Sequence, residues 1–265
     1  MQMPQALNEK ANETKTILCF GVDPDINKIQ NGNNADIQIT EYFNPIIETL
    51  LEGNAISALK PNYAYFAQYG FHGLYALSEI MQRYRNKVPI ILDVKRGDIG
   101  KSSEAYAREA YDVFGADAVT VSPYMGFDSV APFLREGKTV YVLCKTSNKG
   151  SDDFQMLKVG KKKLYEAVAE KAMTWKCGLV VGATSDSIKK ITKITKNRIP
   201  LLIPGIGSQG GDLEMVLKAI KGNLPIHRIN ASSSIAYAYE KTGGKPADAA
   251  LKEAEKLNSV IRKYF

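Results

Sequence analysis

Short apolar runs rich in β-branched residues recur along the whole chain, and a longer amphipathic segment follows each of them. The runs are continuously apolar rather than alternating, which is typical of parallel strands buried on both faces. They predict eight strands, at residues 16–22, 56–60, 88–93, 118–122, 139–145, 177–182, 199–204 and 226–230.

The segments between these runs have helical periodicity and residues that commonly cap helices. Asp212 is placed to cap a helix that starts at Leu213. A further helix is predicted over 102–114, and a long final helix over 246–264. Regular alternation of strand and helix implies a parallel sheet with crossover helices.

Eight strand–helix units in 265 residues predict an α/β fold, namely a (β/α)8 TIM barrel with a closed parallel sheet. We expect a single domain over residues 1–265, with an N-terminal extension over about residues 1–15. A doubly wound open sheet is the structural alternative.

The balance of charges adds one expectation about partners. The formal net charge is +7, and much of it lies in residues 158–163 and 189–198. A basic surface can attract nucleic acid or steer an anionic metabolite into a cleft. Because no RNA-binding motif, zinc finger or helix-turn-helix accompanies the charge, we expect a small anionic metabolite and no nucleic acid.

The apolar runs and the cysteines indicate where in the cell the protein is expected. No apolar run approaches the roughly 20 residues that span a bilayer, and the polar residues 1–16 lack the apolar core of a signal peptide. Cys19, Cys144 and Cys177 are far apart, and each lies in an apolar stretch. They predict buried, reduced thiols in a cytoplasmic protein without a membrane partner.

Polar side chains follow several of the predicted strands at the point where each strand ends. Asp23 follows the first strand, Lys60 ends the second, and Lys145 begins a polar triplet with Thr146 and Ser147 after the fifth. Catalytic groups of (β/α)8 barrels lie at the carboxyl ends of the strands. Since buried charges are costly unless paired, charges of both signs at one rim indicate a preorganised site.

The third strand ends in the most informative segment, residues 93–100. Asp93 and Lys95 are two residues apart, so in an extended strand both point to the same side. Asp98 follows after Gly97, where the chain can turn. Alternating carboxylate and ammonium groups hold one another ionised. A surface ion-pair ladder would give the same pattern, but its place after an apolar strand favours a site.

A glycine-rich segment follows the seventh strand. Residues 205–211 contain four glycines, whose backbone N–H groups can approach an anion closely. Phosphate sites of barrels commonly lie in the loops after strands seven and eight. The alternative is a turn that holds no ligand, but the position favours phosphate binding.

These residues together resemble the orotidine 5′-phosphate decarboxylase family, in particular the branch with the motif DVKRGDIG, here residues 93–100. The resemblance extends over nearly the whole chain. Its other motifs are FGVDPD at 20–25, KPN at 60–62, KTSN at 145–148 and PGIGSQGG at 204–211.

The resemblance implies decarboxylation of orotidine 5′-monophosphate to uridine 5′-monophosphate and CO2 in pyrimidine biosynthesis, without a metal or organic cofactor. Asp93 would destabilise the substrate carboxylate, and Lys95 would protonate C6 of the ring. Lys60 would bind the ribose and hold Asp93. Asp98 would reach into the partner's site in a homodimer.

The resemblance also assigns binding roles. Ser147 would read the pyrimidine amide, and Gln209 would bridge base and phosphate. The implied substrate-binding residues are Asp23, Asn62, Ile99, Ser102, Ser147 and Gln209, and the implied phosphate-binding residues are Gly207, Gln209, Gly210 and Ser233.

One position departs from the family pattern. After the eighth strand the family has N-x-S-R, whose arginine clamps the phosphate, but here Ser233 takes the place of that arginine. Arg228 is near in sequence but lies within the predicted strand. Losing an arginine–phosphate pair removes a strong contact. Weaker phosphate binding, a compensating cation and a sequence altered at this position all remain open.

Two other functions remain as alternatives. One is a related sugar-phosphate decarboxylase that shares D-x-K-x-x-D and uses Mg²⁺, against which Ser147 and Gln209 argue. The other is a barrel that binds uridine nucleotides or nucleic acid without turnover, which the serine at 233 and the basic net charge would suit.

Overall fold

Eight parallel strands form one barrel in the computed structural model, which describes residues 5–29, 32, 34–183, 187–207 and 212–265. Each strand pairs with its neighbours in chain order. Bridges from Leu59 to Ile90 and from Asn62 to Asp93 join the second strand to the third and complete the ring. The strands are β1 Leu18–Val22, β2 Ala58–Pro61, β3 Ile91–Arg96, β4 Ala118–Val121, β5 Thr139–Lys145, β6 Gly178–Val181, β7 Leu201–Pro204 and β8 Arg228–Ala231.

The prediction of a (β/α)8 barrel is therefore confirmed, and the open-sheet alternative is wrong. The one boundary that matters for the site is in β3, which continues past its predicted end at Asp93 to Arg96. A two-stranded hairpin, Lys158–Val159 with Lys162–Lys163, lies in the polar segment after β5.

Helices connect the strands on the outside of the barrel. Asp212 caps its helix as predicted, because its carboxylate accepts from the backbone N–H of Met215 at 3.0 Å. The helix predicted over 102–114 begins earlier, at Gly100; its α-helical part ends at Arg108, and a π-helical turn over Glu109–Val113 follows. The helices are α1 Gln5–Thr14, α2 Ala35–Glu52, α3 Tyr63–Ala67, α4 Gly70–Tyr84, α5 Gly100–Arg108, α6 Phe127–Val130, α7 Ser151–Phe154, α8 Leu164–Trp175, α9 Ser187–Thr195, α10 Leu213–Ile220, α11 Ser233–Ala236, α12 Tyr239–Thr242 and α13 Pro246–Ile261.

The core has two layers, which explains why the strands are apolar throughout. Side chains on one face of each strand pack against the helices in a large outer cluster. Side chains on the other face fill the barrel interior. The interior cluster contains Leu7, Cys19, Ala58, Ile91, Ala118, Tyr141, Val180 and Leu202.

Helix α1 covers the N-terminal end of the barrel. Leu7 is almost fully buried and belongs to the interior cluster. Arg228 is fully buried and donates to the carbonyl oxygens of Leu7, Pro225 and His227. Because Arg228 opens β8, it lies at the end opposite to the strands' carboxyl ends, whereas the sequence predicted only that it lies within the strand. It therefore takes no part in any site at the barrel mouth.

The cysteines and the helices can each be set beside what the sequence predicted. Cys19, Cys144 and Cys177 are free and buried, as predicted. None of the helices in the described part of the chain is both long enough and apolar enough to cross a membrane.

Candidate active site

A cavity of about 670 Å³ opens among the carboxyl ends of the strands, and we call it the mouth cavity. A volume of this order suits a small-molecule ligand. Seven of the predicted site residues line it, namely Asp23, Lys60, Asn62, Asp93, Lys95, Ser147 and Ser233.

The centre of the mouth cavity is a network of three charged side chains. Lys60 Nζ lies 2.9 Å from Asp93 Oδ2, and Lys95 Nζ lies 2.6 Å from Asp93 Oδ1. The side chains of Lys60 and Asp93 are 4% and 9% exposed, whereas that of Lys95 is 47% exposed. One lysine therefore holds the carboxylate from inside the barrel, and the other faces the space in which a ligand would lie.

The charges in this network stabilise one another. Burial alone would raise the pKa of Asp93, but the ammonium groups of Lys60 and Lys95 outweigh burial and hold that pKa well below its usual range. Burial would lower the pKa of Lys60, yet the carboxylates of Asp93 and Asp23 raise it above its usual value. Both groups consequently stay charged at neutral pH.

The backbone around Lys95 is not a regular strand. The pairing of β3 with β4 shifts register between Leu92 and Arg96, and Lys95 has a left-handed φ of 46°. The contact between Asp93 and Lys95 was predicted from the simple alternation of side chains along a strand. The two do meet, but a bulged backbone places them there.

Thr120 in β4 holds this irregular backbone, although it was not among the predicted site residues. Its hydroxyl accepts from the backbone N–H of Lys95 at 3.0 Å and donates to Asp93 Oδ1 at 2.8 Å. One buried hydroxyl thus fixes both the position of Lys95 and the orientation of the Asp93 carboxylate. A polar residue within the apolar strand AVTV was the available signal.

A second group of polar atoms surrounds Asp23. The oxygens Asp23 Oδ1 and Asn230 Oδ1 are buried and have no hydrogen-bond partner among the described residues. Both residues line the mouth cavity, so these oxygens can accept from a ligand. The Tyr237 hydroxyl accepts from the backbone N–H of Asp25 at 2.9 Å and donates to the carbonyl of Asp23 at 3.2 Å, which fixes the end of β1.

The segment after β5 forms another wall. Ser147 and Thr146 line the mouth cavity, and Gln155 accepts from the backbone N–H of Thr146 at 2.9 Å. Lys145 points instead into its own loop, where its ammonium donates to Ser151 and to Asp152. Of the polar triplet that ends β5, Lys145 therefore supports the loop and the other two face the cavity.

The predicted phosphate loop is described only in part, since Gln209 and Gly210 lie outside the described residues. Gly207 has a φ of 90°, and a Cβ there would come within 2.6 Å of Ser234 Oγ, so the position requires glycine. Gly207, Ser233 and Ser234 line a smaller cavity of about 290 Å³, the side cavity, which adjoins the mouth cavity through shared residues.

Three predicted site residues, Asp98, Ile99 and Ser102, line neither the mouth cavity nor the side cavity of their own chain. Asp98 accepts from the backbone N–H of Ile99 at 2.8 Å, and Ile99 is 56% exposed. Ser102 is also exposed. The roles predicted for Asp98, Ile99 and Ser102 stay predictions.

The described residues contain no group of three or more His, Cys, Asp or Glu side chains arranged to hold a metal ion.

Comparison with known proteins relates this geometry to one family. The family model described as Orotidine 5′-phosphate decarboxylase / HUMPS family matches residues 6–242. The Orotidine 5′-phosphate decarboxylase of Dehalococcoides mccartyi is 39% identical over 274 residues, covering 100% of this chain and 98% of the relative.

Solved structures agree. Leishmania donovani OMP decarboxylase is 38% identical with a TM-score of 0.83, over 97% of this chain and 98% of that one. Leishmania donovani UMP synthase is 39% identical with a TM-score of 0.84, and this chain spans 56% of its length. With a family match over most of the chain and relatives this similar over its full length, the chain belongs to the orotidine 5′-phosphate decarboxylase / HUMPS family.

Proposed function

We propose that this protein decarboxylates orotidine 5′-monophosphate to uridine 5′-monophosphate and CO2, a step of pyrimidine biosynthesis. The observation that carries the proposal is the Lys60–Asp93–Lys95 network at the barrel mouth, in which an accessible ammonium lies 2.6 Å from a buried, ionised carboxylate. Full-length relatives named for this activity support it.

The chemistry requires a negative charge to be stabilised at a ring carbon. The substrate carboxylate would lie against Asp93, where repulsion between the two carboxylates favours loss of CO2. The bond from C6 to the carboxyl carbon breaks, and its electron pair remains on C6. The ammonium of Lys95 stabilises that charge and then gives its proton to C6. Uridine 5′-monophosphate results, and Lys95 regains a proton from solvent.

Binding energy from the rest of the nucleotide would offset the repulsion at the carboxylate. The unpaired oxygen of Asp23, with Lys60 and Asn62, would bind the ribose, and Ser147 would read the base. The phosphate would lie at the loop of Gly207, Gln209 and Gly210, near Ser233.

The first test is an absorbance assay of orotidine 5′-monophosphate decarboxylation with and without a chelator. We expect full turnover in the presence of EDTA, since the proposed proton donor and charge network belong to the chain itself. Loss of activity with EDTA and its return with Mg²⁺ would favour the sugar-phosphate decarboxylase alternative. Tight binding of uridine 5′-monophosphate with no loss of orotidine absorbance would indicate a binding protein without turnover.

We further propose that the active form is a homodimer in which Asp98 reaches the partner's mouth cavity, accompanied by Ile99 and Ser102. The surface around Asp98 is suited to contact, because Ile99, Tyr124 and Phe127 are exposed apolar residues. A hydrogen bond of 2.7 Å from the Ser122 N–H to the Arg96 carbonyl joins the segment after β3, which contains Asp98, to the segment after β4, which contains Tyr124 and Phe127. Exposed apolar residues beside a site commonly mark an interface.

Mixing two inactive variants tests this dimer. Asp98→Ala and Lys95→Ala chains, coexpressed in equal amounts, should recover about a quarter of wild-type turnover, because half of the dimers are hybrids and each hybrid has one intact site. The assay is turnover of the mixed sample, with each variant alone as the control. No recovery in a sample shown to contain hybrid dimers would place Asp98 in its own chain's site or outside any site.

We also infer a cytoplasmic location. The three cysteines are free and buried, which suits a reducing compartment.

A further inference from the structure

The phosphate of the proposed substrate needs a cation that the family pattern does not supply here. Ser233 takes the place of the arginine that the family pattern places after the eighth strand. A phosphate dianion held by backbone N–H groups alone lacks the ion pair with a cationic side chain that strengthens such sites. A positively charged side chain from elsewhere in the mouth cavity could provide them.

The described lining of the mouth cavity contains three lysines, Lys28, Lys60 and Lys95. Lys60 and Lys95 both donate to Asp93, so they belong to the reacting end of the cavity. Lys28 lies at a different end, because its ammonium is 4.8 Å from the ring centroid of Tyr237.

The end of the mouth cavity beside Tyr237 is the end at which we expect the phosphate. Tyr237 is one turn after Ser233, and its backbone N–H donates to the Ser233 carbonyl at 3.0 Å. Lys28, Ser233 and Tyr237 line both the mouth cavity and the side cavity, and Gly207 of the phosphate loop lines the latter. Of the three lysines in the described lining of the mouth cavity, Lys28 is therefore the one that lies at the junction of the two cavities.

On the basis of the proposed function, we propose that Lys28 is the phosphate-binding cation of this enzyme and replaces the arginine missing at position 233. The ammonium group has three donors, and it donates to both carboxylate oxygens of Glu240 at 2.9 Å. Among the described residues its third donor has no other hydrogen-bond acceptor, so it can donate to a phosphate oxygen, and lysine binds phosphate as a point charge.

The pairing with Glu240 suits this role. The two side chains are 37% and 41% exposed, and an ion pair so accessible to water is weak. Lys28 can therefore exchange one contact with Glu240 for a contact with a dianion. The hydrogen bond that Lys28 donates to Glu240 also raises the pKa of Lys28, so the ammonium stays charged at neutral pH.

The test compares binding of uridine 5′-monophosphate and uridine, which differ only in the phosphate. Lys28→Met retains an unbranched apolar stem but removes the charge. By isothermal titration calorimetry we expect the variant to bind the nucleotide about 10-fold more weakly or worse, with uridine affinity within about twofold of wild type. The matched control is Lys241→Met, since Lys241 lines the side cavity but not the described mouth cavity; its nucleotide affinity should change by less than about twofold.

The outcomes separate this inference from the proposed function. If wild-type protein prefers the nucleotide and turns over substrate, but Lys28→Met binds the nucleotide as well as wild type, Lys28 is not the cation. Equal losses for nucleotide and nucleoside would also overturn the inference, since the effect would not concern phosphate. A wild-type protein that neither binds the nucleotide nor decarboxylates substrate would instead refute the proposed function.

Restoring the family's arginine gives a second readout. Ser233→Arg added to Lys28→Met should recover most of the lost nucleotide affinity and lower KM again, because the new guanidinium would lie at the same junction. Failure to recover, in a double variant that still binds uridine, would show that a side chain at position 233 does not reach the phosphate, and so that Lys28 does not replace the arginine of that position.

Discussion

Replacing Lys95 with alanine is expected to abolish turnover while leaving the fold intact. A positioned proton donor contributes about 10²- to 10⁴-fold, and a charge aimed at the developing carbanion contributes a further factor of about 10² to 10³. We therefore expect kcat to fall by at least about four orders of magnitude in the absorbance assay. Retention of a tenth of wild-type turnover would remove Lys95 as the proton donor.

The structure explains why this substitution should not unfold the protein. The Lys95 side chain is 47% exposed, so its removal leaves no buried cavity. Asp93 keeps its contacts with Lys60 and Thr120. An unchanged melting temperature and retained binding of uridine 5′-monophosphate are the controls. Lys95→Arg, which keeps the charge but gives up a proton far less readily, should also be inactive.

The second large effect concerns Asp93, whose replacement by asparagine should reduce both activity and stability. Lys60 is buried and pairs with Asp93 at 2.9 Å. Asp93→Asn leaves the buried charge of Lys60 with Asp23 as its remaining carboxylate neighbour, and breaking a buried ion pair costs about 3–5 kcal/mol. We expect that loss in the free energy of unfolding measured with urea, together with loss of turnover.

A double variant separates the loss of stability from the loss of turnover. Lys60→Met/Asp93→Leu removes both charges, so most of the lost stability should return while turnover stays absent. Asp153→Asn, at an exposed carboxylate, is the matched control and should change neither the free energy of unfolding nor the turnover. If Asp93→Asn were as stable as wild type, the Lys60–Asp93 contact would not be the buried ion pair described above.

The Lys60–Asp93 pair also predicts how the difference in unfolding free energy between wild type and Asp93→Asn depends on pH. The folded pKa of Asp93 is lowered from an ordinary value of 3.8, so its contribution is fully present above that pH and is lost as the pH falls through the folded pKa. The stability gap between wild type and Asp93→Asn should therefore be constant from neutral pH to about pH 5 and narrow below about pH 4. A gap that narrowed between pH 7 and pH 5 would contradict the assignment.

The sequence was sufficient for the fold because its signals are local. Continuous apolar runs indicate strands buried on both faces, and strands that alternate with helices must be parallel. Eight such units leave few arrangements other than a barrel. The π-helix over Glu109–Val113 was not predicted, because a single turn of five residues is too short to show an apolar periodicity of its own.

The candidate site was predictable as a set of residues but not as a set of contacts. Polar side chains at strand ends identified Asp23, Lys60, Asp93 and Lys95, and all four line one cavity. Thr120 and Tyr237 were missed because their roles depend on hydrogen bonds to backbone far away in sequence.

The sequence by itself determined which elements form, their order, and which end of the barrel carries charged side chains. Only the tertiary structure decided where those side chains point: Lys145 into its own loop, Arg228 to the opposite end, and Lys28 beside Ser233. The reason is physical. Periodicity and strand direction are properties of neighbouring residues, whereas a side chain's direction depends on bulges, on long-range hydrogen bonds and on the charges that packing brings beside it.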